Sequence, residues 1–314
     1  MGAEKKSPQA TAPKSEPFWS LGRPNIWTWL LLGLALSIGA HLAWMQFGPT
    51  VARHAQYQIA ADHVHITPPP AWIHADVRSE VLGDSGLVGT LSVLDDSERL
   101  QQRVRDAFSF HPWIAAVRRI TLSLPATVDV ELEYRRPIAA VQVAANAAAP
   151  CSPIDVTGFR LPDADFSDVE RRYLPRIVGG SGQPLVGKPW TDERVLEAAR
   201  LAAGLGDVWA KLRLVEIIPS ADPRVRGEIR FHTFELTTSG GTRIRWGAPP
   251  GHEVDAGESP FDVKRQRLVD YAAQHGKLDS IEGPELVDVR SDLVVVPRTA
   301  RRGTAGSEET TETK

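Results

Sequence analysis

Apolar residues follow three different rhythms along this chain, and each predicts a different element. From Ile26 to Phe47 (IWTWLLLGLALSIGAHLAWMQF) no formally charged residue interrupts the apolar run. A helix of that length rises about 33 Å at 1.5 Å per residue, matching the hydrocarbon core of a bilayer. Trp27, Trp29 and Trp44 sit near its two ends, where indoles anchor at the headgroup boundary. His41 and Gln46 fall in the last third, within reach of that boundary. A cleaved signal peptide would have a shorter apolar core followed by a small-x-small site, and no good site follows here. A core helix would show a polar face, and this segment shows almost none. The pattern predicts an uncleaved transmembrane helix over 26–47.

Beyond it the rhythm becomes helical and then alternating. Tyr57–Ile66 has strand character and ends at the breaker Pro68-Pro69-Pro70. Ala71–Leu82 reads as a helix, with Ile73, Val77, Val81 and Leu82 at helical spacing. Asp95-Asp96-Ser97-Glu98 supplies an acidic start, with Glu three residues after Asp95, to a second helix carrying Leu100, Val104, Ala107 and Phe108. Period two then takes over. Ile120, Leu122 and Leu124 alternate with polar residues, and after the turn at Pro125-Ala126 so do Val128, Val130, Leu132 and Tyr134. The order is strand, helix, helix, strand, strand.

An Ala-rich connection at 144–150 leads to a second region with mixed signals. Thr191 is placed to cap a helix that carries Asp192 and Glu193 in its first turn and stops at Gly204–Gly206. Strands are predicted at Leu212–Ile218, Glu228–Phe231, Phe234–Thr238 and Thr242–Trp246, with Gly240-Gly241 as a tight hairpin turn. Val263–Gln274 is a further helix, with Val263, Leu268 and Tyr271-Ala272 as its apolar contributions. Glu285–Arg290 and Leu293–Val296 are the last strands, before a polar tail.

Composition changes this picture little. The formal net charge of -3 over 314 residues sets up no field pointing to nucleic acid. The single cysteine, Cys151, makes an intramolecular disulfide impossible, so an ordinary hydrophobic core must hold the fold. Lys5, Lys6, Lys14 and Arg23 precede the apolar segment and only Arg53 follows it closely. That bias places the N-terminus in the cytoplasm and everything from about residue 48 outside it.

Candidate chemistry is sparse. Gly182–Pro189 matches G-x-x-x-x-G-K, but Pro189 stands where a magnesium-binding hydroxyl is needed and two prolines remove N–H donors. His63 and His65 share the face of the first strand near His54 and His74, without the cysteine or paired carboxylate that a metal site needs. No G-x-S-x-G or H-E-x-x-H occurs, and Cys151 has no evident partner base. The expectation is a non-enzymatic protein with no cofactor and no metal.

One family pattern runs through these signals. Phe108-Ser109-Phe110-His111-Pro112-Trp113-Ile114, Val117-Arg118-Arg119-Ile120, Leu124-Pro125, Val128–Tyr134 and Arg135-Arg136-Pro137-Ile138-Ala139 together resemble the FtsQ-type POTRA domain. Tyr134 stands where Glu is usual and Ile138 replaces Val. Ile154–Gly158, Tyr173–Gly179 and the Asp288-x-Arg290 portion of the late strand resemble the β domain of FtsQ/DivIB cell-division proteins, although Ser291 replaces an aromatic residue.

The resemblance implies an α+β chain in five parts. They are a disordered cytoplasmic tail (1–25), the transmembrane helix (26–47), a β-α-α-β-β POTRA-like domain (55–138), a mixed, mainly antiparallel β domain with flanking helices (139–297) and a disordered tail (298–314). It implies a single-pass inner-membrane protein at the division site. Such a protein is a divisome scaffold that links division-site assembly to septal wall synthesis. Its partners would be bitopic division proteins of the FtsB/FtsL type, taken at the final strand over Ser291, Asp292, Leu293, Val294, Val295 and Val296. Other divisome proteins would meet the POTRA-like domain, with Trp113, Arg118 and Arg119 as the surface to inspect. A POTRA-bearing transport or secretion component is the alternative, although such proteins string several units ahead of a membrane barrel.

Overall fold

The computed structural model describes residues 26–298, apart from 53, 88, 90, 94, 95, 144–150, 277 and 281. The expected tails, the Ala-rich connection and Asp95 therefore lie outside the described residues. The chain divides into two compact units, one ending at Tyr57 and one starting at Gln58.

The first unit is built on helix α1 (Ile26–Ala52). Its stretch Ile26–Gly48 is long and apolar enough to cross a membrane, and its apolar side chains are bare: Trp27, Leu31, Leu36 and Phe47 are all more than half exposed. Length and all-round apolarity make it a candidate single membrane span.

The second unit is α+β and holds two hydrophobic cores. Its first sheet has the order β1-β3-β2, from strands β1 (Val64–Ile66), β2 (Ile114–Ser123) and β3 (Thr127–Tyr134). Helices α2 (Val77–Ser85) and α3 (Ser97–Ser109) come between β1 and β2. β2 and β3 are the antiparallel pair that the alternation predicts. β1 lies parallel to β3, so the helical excursion serves as its crossover.

The first strand is shorter than expected. 3₁₀ turns occupy Ala55–Tyr57 and Ala61–His63, so only Val64–Ile66 is strand, and His63 and His65 do not share a strand face. α2 starts at Val77, because the Asp76 carboxylate accepts the Ser79 N–H and caps it there. Asp96 caps α3 in the same manner, accepting from Glu98 and Arg99.

The second sheet has eight strands in the order β13-β12-β11-β10-β7-β6-β4-β5. In chain order they are β4 (Ala139–Val143), β5 (Ser152–Ile154), β6 (Arg176–Gly180) after the short helix α4 (Asp168–Tyr173), and β7 (Leu214–Pro219) after α5 (Glu193–Trp209). A ribbon of β8 (Arg224–Arg226) and β9 (Ile229–Phe231) stands apart from the sheet. β10 (Phe234–Thr238), β11 (Arg243–Gly247), α6 (Glu253–Ala256), α7 (Phe261–His275), β12 (Leu286–Asp288) and β13 (Val294–Val296) complete the fold.

The sheet is mixed to a greater degree than the sequence suggests. β13–β12, β11–β10, β10–β7 and β4–β5 are antiparallel. β12–β11, β7–β6 and β6–β4 are parallel. Each parallel pair needs a crossover, and α4, α5 and α7 lie in those connections.

Two helix expectations need correction. Asp192, not Thr191, caps α5, because its carboxylate accepts the Arg194 N–H. α5 also runs through Gly204 and Gly206 to Trp209. Gly204 is there for packing: a Cβ would lie 2.6 Å from Phe261 Cζ, so glycine lets α5 meet the start of α7. The Gly240-Gly241 hairpin does form, with Gly241 at φ +79° and no room for a Cβ at Gly240, which would lie 2.2 Å from the Asp279 carbonyl oxygen.

Candidate functional site

The far edge of the eight-stranded sheet is built by β12 and β13. Alternation puts Ile244 and Trp246 of β11, Val287 of β12 and Leu236 of β10 in the core with α5 and α7. Val295 packs against that core, so Val294 and Val296 point to the other face, where they are 55% and 40% exposed. β13 is last in the sheet order and, among the described residues, pairs with β12 alone. Among the described residues, one row of its backbone N–H and C=O groups is therefore without a strand partner.

The face opposite the helices is polar in its middle and apolar at this edge. Arg176 pairs with Glu216, whose carboxylate also accepts the Thr237 hydroxyl at 3.1 Å. Glu235 holds Arg243 at 2.7 Å and faces Arg245 at 3.9 Å. In register beyond Arg243 come Leu286 and Val296, and beyond Arg245 come Asp288 and Val294. The ladder of opposite charges saturates itself across four strands and hands over to valines at the free edge.

The loop leading into β13 is tied down from below. Asp288 accepts the Arg290 backbone N–H at 3.1 Å and its guanidinium at 2.7 Å. Burial pushes the Asp288 carboxyl up, but the Arg290 hydrogen bonds, with Arg245 nearby, outweigh it and hold it below the usual range. Asp192-Glu193-Arg194 repeats this Asp-x-Arg fork at the start of α5. Ser259, just before α7, donates its N–H to the Arg290 carbonyl at 2.7 Å and its hydroxyl to the Ser291 carbonyl at 3.0 Å. Arg267 of α7 donates to the Val289 carbonyl at 3.1 Å.

Beneath that loop lies a buried ion pair that the periodicity does not announce. Lys264 of α7 is fully buried, and its ammonium reaches Glu258 Oε2 at 3.0 Å and the carbonyls of Trp246 and Ala248 at 3.2 Å each. Glu258 also accepts the Ala248 N–H at 2.9 Å. Burial pushes the Lys264 ammonium below its ordinary value, and the bond to Glu258 works against that. Val263, expected in the core, is 42% exposed; the buried stripe of α7 is Lys264 and Leu268. The spacing of Phe261, Lys264, Leu268 and Tyr271 carries this stripe, with a lysine at an inward position as its signal.

Between β13, the ribbon and the Gly257-Glu258 turn lies a polar cleft of about 340 Å³, lined by Arg224, Glu258, Asp288, Arg290, Asp292 and Val294 among others. Of the residues expected to meet a partner, Ser291 and Asp292 line this cleft, and Leu293, Val294 and Val296 are exposed.

The expected surface on the first sheet divides. Trp113 is fully buried, and its indole N–H donates to Asp165 at 2.5 Å while its ring packs on Phe166. It belongs to the core, not to a recruitment surface: the step after Pro112 turns the indole inward. Arg118 and Arg119 are exposed on β2 and pair across the strands with Glu133 and Glu131.

Residues between 154 and 174 contribute to both cores, Ile154 to the second. Leu161, Phe166 and Leu174, from beyond the expected boundary at 138/139, pack in the first core. Arg135 donates to Asp155 at 2.6 Å and lies 3.5 Å over the Phe159 ring, while Asp155 also accepts from the N–H groups of Thr157 and Phe159.

The phosphate-loop-like stretch is otherwise engaged. The Gly187 N–H donates to the Arg160 carbonyl, the Lys188 N–H to the Leu185 carbonyl, and Asp192 fills the helix start that follows. Among the described residues, no group of three or more His, Cys, Asp or Glu is placed to hold a metal ion. His74 meets the Asp165 carbonyl at 2.9 Å, and burial pushes the Cys151 thiol up. No protein-family model and no curated protein matches this chain.

Proposed function

We propose that this chain is a non-catalytic, single-span scaffold of the bacterial divisome, N-terminus in the cytoplasm and body outside, like the FtsQ/DivIB proteins it resembles. The observation that carries the reading is β13: an apolar strand paired, among the described residues, on one side alone, on a loop clamped by Asp288–Arg290, Ser259 and Arg267. Such an edge captures an extended segment of another protein through backbone hydrogen bonds without a deep pocket. The partner in this reading is a bitopic division protein of the FtsB/FtsL type, meeting Ser291–Val296. The β1-α2-α3-β2-β3 order supports a POTRA-like role for the first sheet. Arg118 and Arg119, without Trp113, are the side chains there that other divisome proteins would meet.

The test is the position of a functional fluorescent fusion of the full chain in growing cells. A mid-cell band that appears before constriction supports the scaffold reading, and co-purification from those cells then names the partner. An even distribution around the envelope throughout the cycle overturns it.

A further inference from the structure

Helices α2 and α3 end at the same place. The last turn of α2, through Ser85, and that of α3, through Ser109, bound one groove of about 260 Å³. Val81, Asp84 and Ser85 line it from α2, and Ala107, Phe110 and Pro112 from the end of α3. Pockets that enclose a whole small ligand run to roughly 300–1,000 Å³, so this one suits an anchoring side chain. Phe110 is 86% exposed at its rim, a large ring with little of the protein against it.

Charge decides which side chain fits. A helix C-terminus carries partial negative charge, which lysine or arginine in the last turn ordinarily answers. Neither α2 nor α3 has a basic residue there; Asp84 and Asp106 stand in the last turns instead. Asp84 has no hydrogen-bond or ion-pair partner among the described residues. Glu80, one turn before it, is met by His111 Nε2 at 3.1 Å. That ring accepts the Trp113 N–H at Nδ1, so its one proton sits on Nε2 and the imidazole brings Glu80 no positive charge. Arg103, one turn back along α3, pairs with neither carboxylate among the described residues.

We propose that this groove takes an arginine side chain of a partner protein, its stem against Val81, Ala107 and Pro112 and its guanidinium between the Asp84 carboxylate and the Phe110 ring. The chain builds the same arrangement internally: the Arg135 guanidinium bonds Asp155 at 2.6 Å and lies 3.5 Å over the Phe159 ring. At the groove a carboxylate and a ring stand ready, and among the described residues no guanidinium of this chain reaches them. Arginine fits better than lysine, because its planar group stacks on a ring while its N–H groups reach a carboxylate. Pro112 carries the apolar surface further. The Gly187 backbone lies against it, a Cβ there falling 3.5 Å from Pro112 Cγ, and the adjoining Val186 and Leu185 are exposed. An aliphatic neighbour of the arginine has that surface to rest on. The groove belongs to α2 and α3, so its test neither uses nor decides strand capture at β13.

The experiment places para-fluorophenylalanine at position 110 of the full chain in detergent micelles and follows it by fluorine NMR. The probe is the peptide acetyl-Ala-Leu-Arg-Leu-Ala-amide, compared with the same peptide bearing citrulline, which keeps the shape of arginine without its charge. The arginine peptide is expected to shift the resonance saturably, with a midpoint of about a millimolar. Citrulline should weaken binding about fivefold or more, and Asp84→Asn in the protein about threefold. Asp84 is exposed, so that variant keeps the fold. No saturable shift below about 10 mM overturns the proposal. So do equal midpoints for the two peptides, or a midpoint that Asp84→Asn leaves unchanged. A resonance that moves with protein concentration alone puts a second copy in the groove, and guanidinium ion matching the peptide makes it a small-cation site; either result overturns the proposal as well.

Discussion

Replacing Lys264 by methionine isolates the buried ion pair under the edge strand. Methionine matches the lysine side chain as far as Cε, so the apolar stem that lies by the Trp246 ring is kept. What is lost is the ammonium, which bonds Glu258 at 3.0 Å and the carbonyls of Trp246 and Ala248 at 3.2 Å. The Glu258 side chain is only 5% exposed, so its carboxylate would be left almost without water and with the Ala248 N–H as its remaining partner. Removing one member of a buried pair costs about 3–5 kcal/mol, because the other charge stays desolvated and uncompensated. For a body of this size that lowers Tm by roughly 10 °C. Urea unfolding of the full chain in detergent micelles, followed by circular dichroism, measures it. The double variant Lys264→Met with Glu258→Gln removes the stranded charge while keeping an acceptor for Ala248. It should therefore be more stable than Lys264→Met alone. A loss below about 1 kcal/mol, or a double variant no better than the single, would refute the reasoning.

Three other outcomes are expected. Val294→Lys with Val296→Lys places two charges on exposed positions of the edge; stability should move by less than about 0.5 kcal/mol each while crosslinking from Leu293 to a membrane partner in cells disappears. Arg135→Ala breaks the pair with buried Asp155 and the contact over Phe159, and should cost about 3 kcal/mol in the same unfolding assay. Asp192→Asn tests a pH effect. Burial raises the Asp192 carboxyl, but hydrogen bonds from Arg194 and Ser181 outweigh it and hold it at about 2, below its ordinary 3.8. The charged form is thus favoured by folding. Its contribution is complete above about pH 4 and is lost as pH falls towards 2, so the variant should show a shallower stability decline across that window than the native chain.

Strong, single-period patterns were legible without coordinates. The alternation from Ile120 to Tyr134 gives the β2–β3 hairpin because a strand with one wet face must alternate. Phe234–Thr238 and Arg243–Gly247, with two glycines between them, give the β10–β11 hairpin for the same reason. Helix ends were less legible: Thr191 and Asp192 are both good caps, and only the path of the chain chooses Asp192. Gly204 looked like a stop because its value lies in a helix contact distant in sequence. Arg224–Arg226 gave no strand signal, since both faces of that ribbon strand are exposed.

The sequence by itself determined the apolar span, the α+β class and the strand-helix-helix-strand-strand order of the first sheet, because these depend on the periodicity of neighbouring residues. Tertiary structure decided what depends on distant residues. It put Lys264 against Glu258 and two carbonyls, turned Trp113 inward onto Asp165 and Phe166, and drew Leu161 and Phe166 into a core on the other side of the expected boundary. It also put Val294–Val296 at one end of the eight-stranded sheet among the described residues. A run of valines satisfies a buried strand and an edge strand equally well; the difference is whether a second strand lies beside it, and no local pattern carries that information.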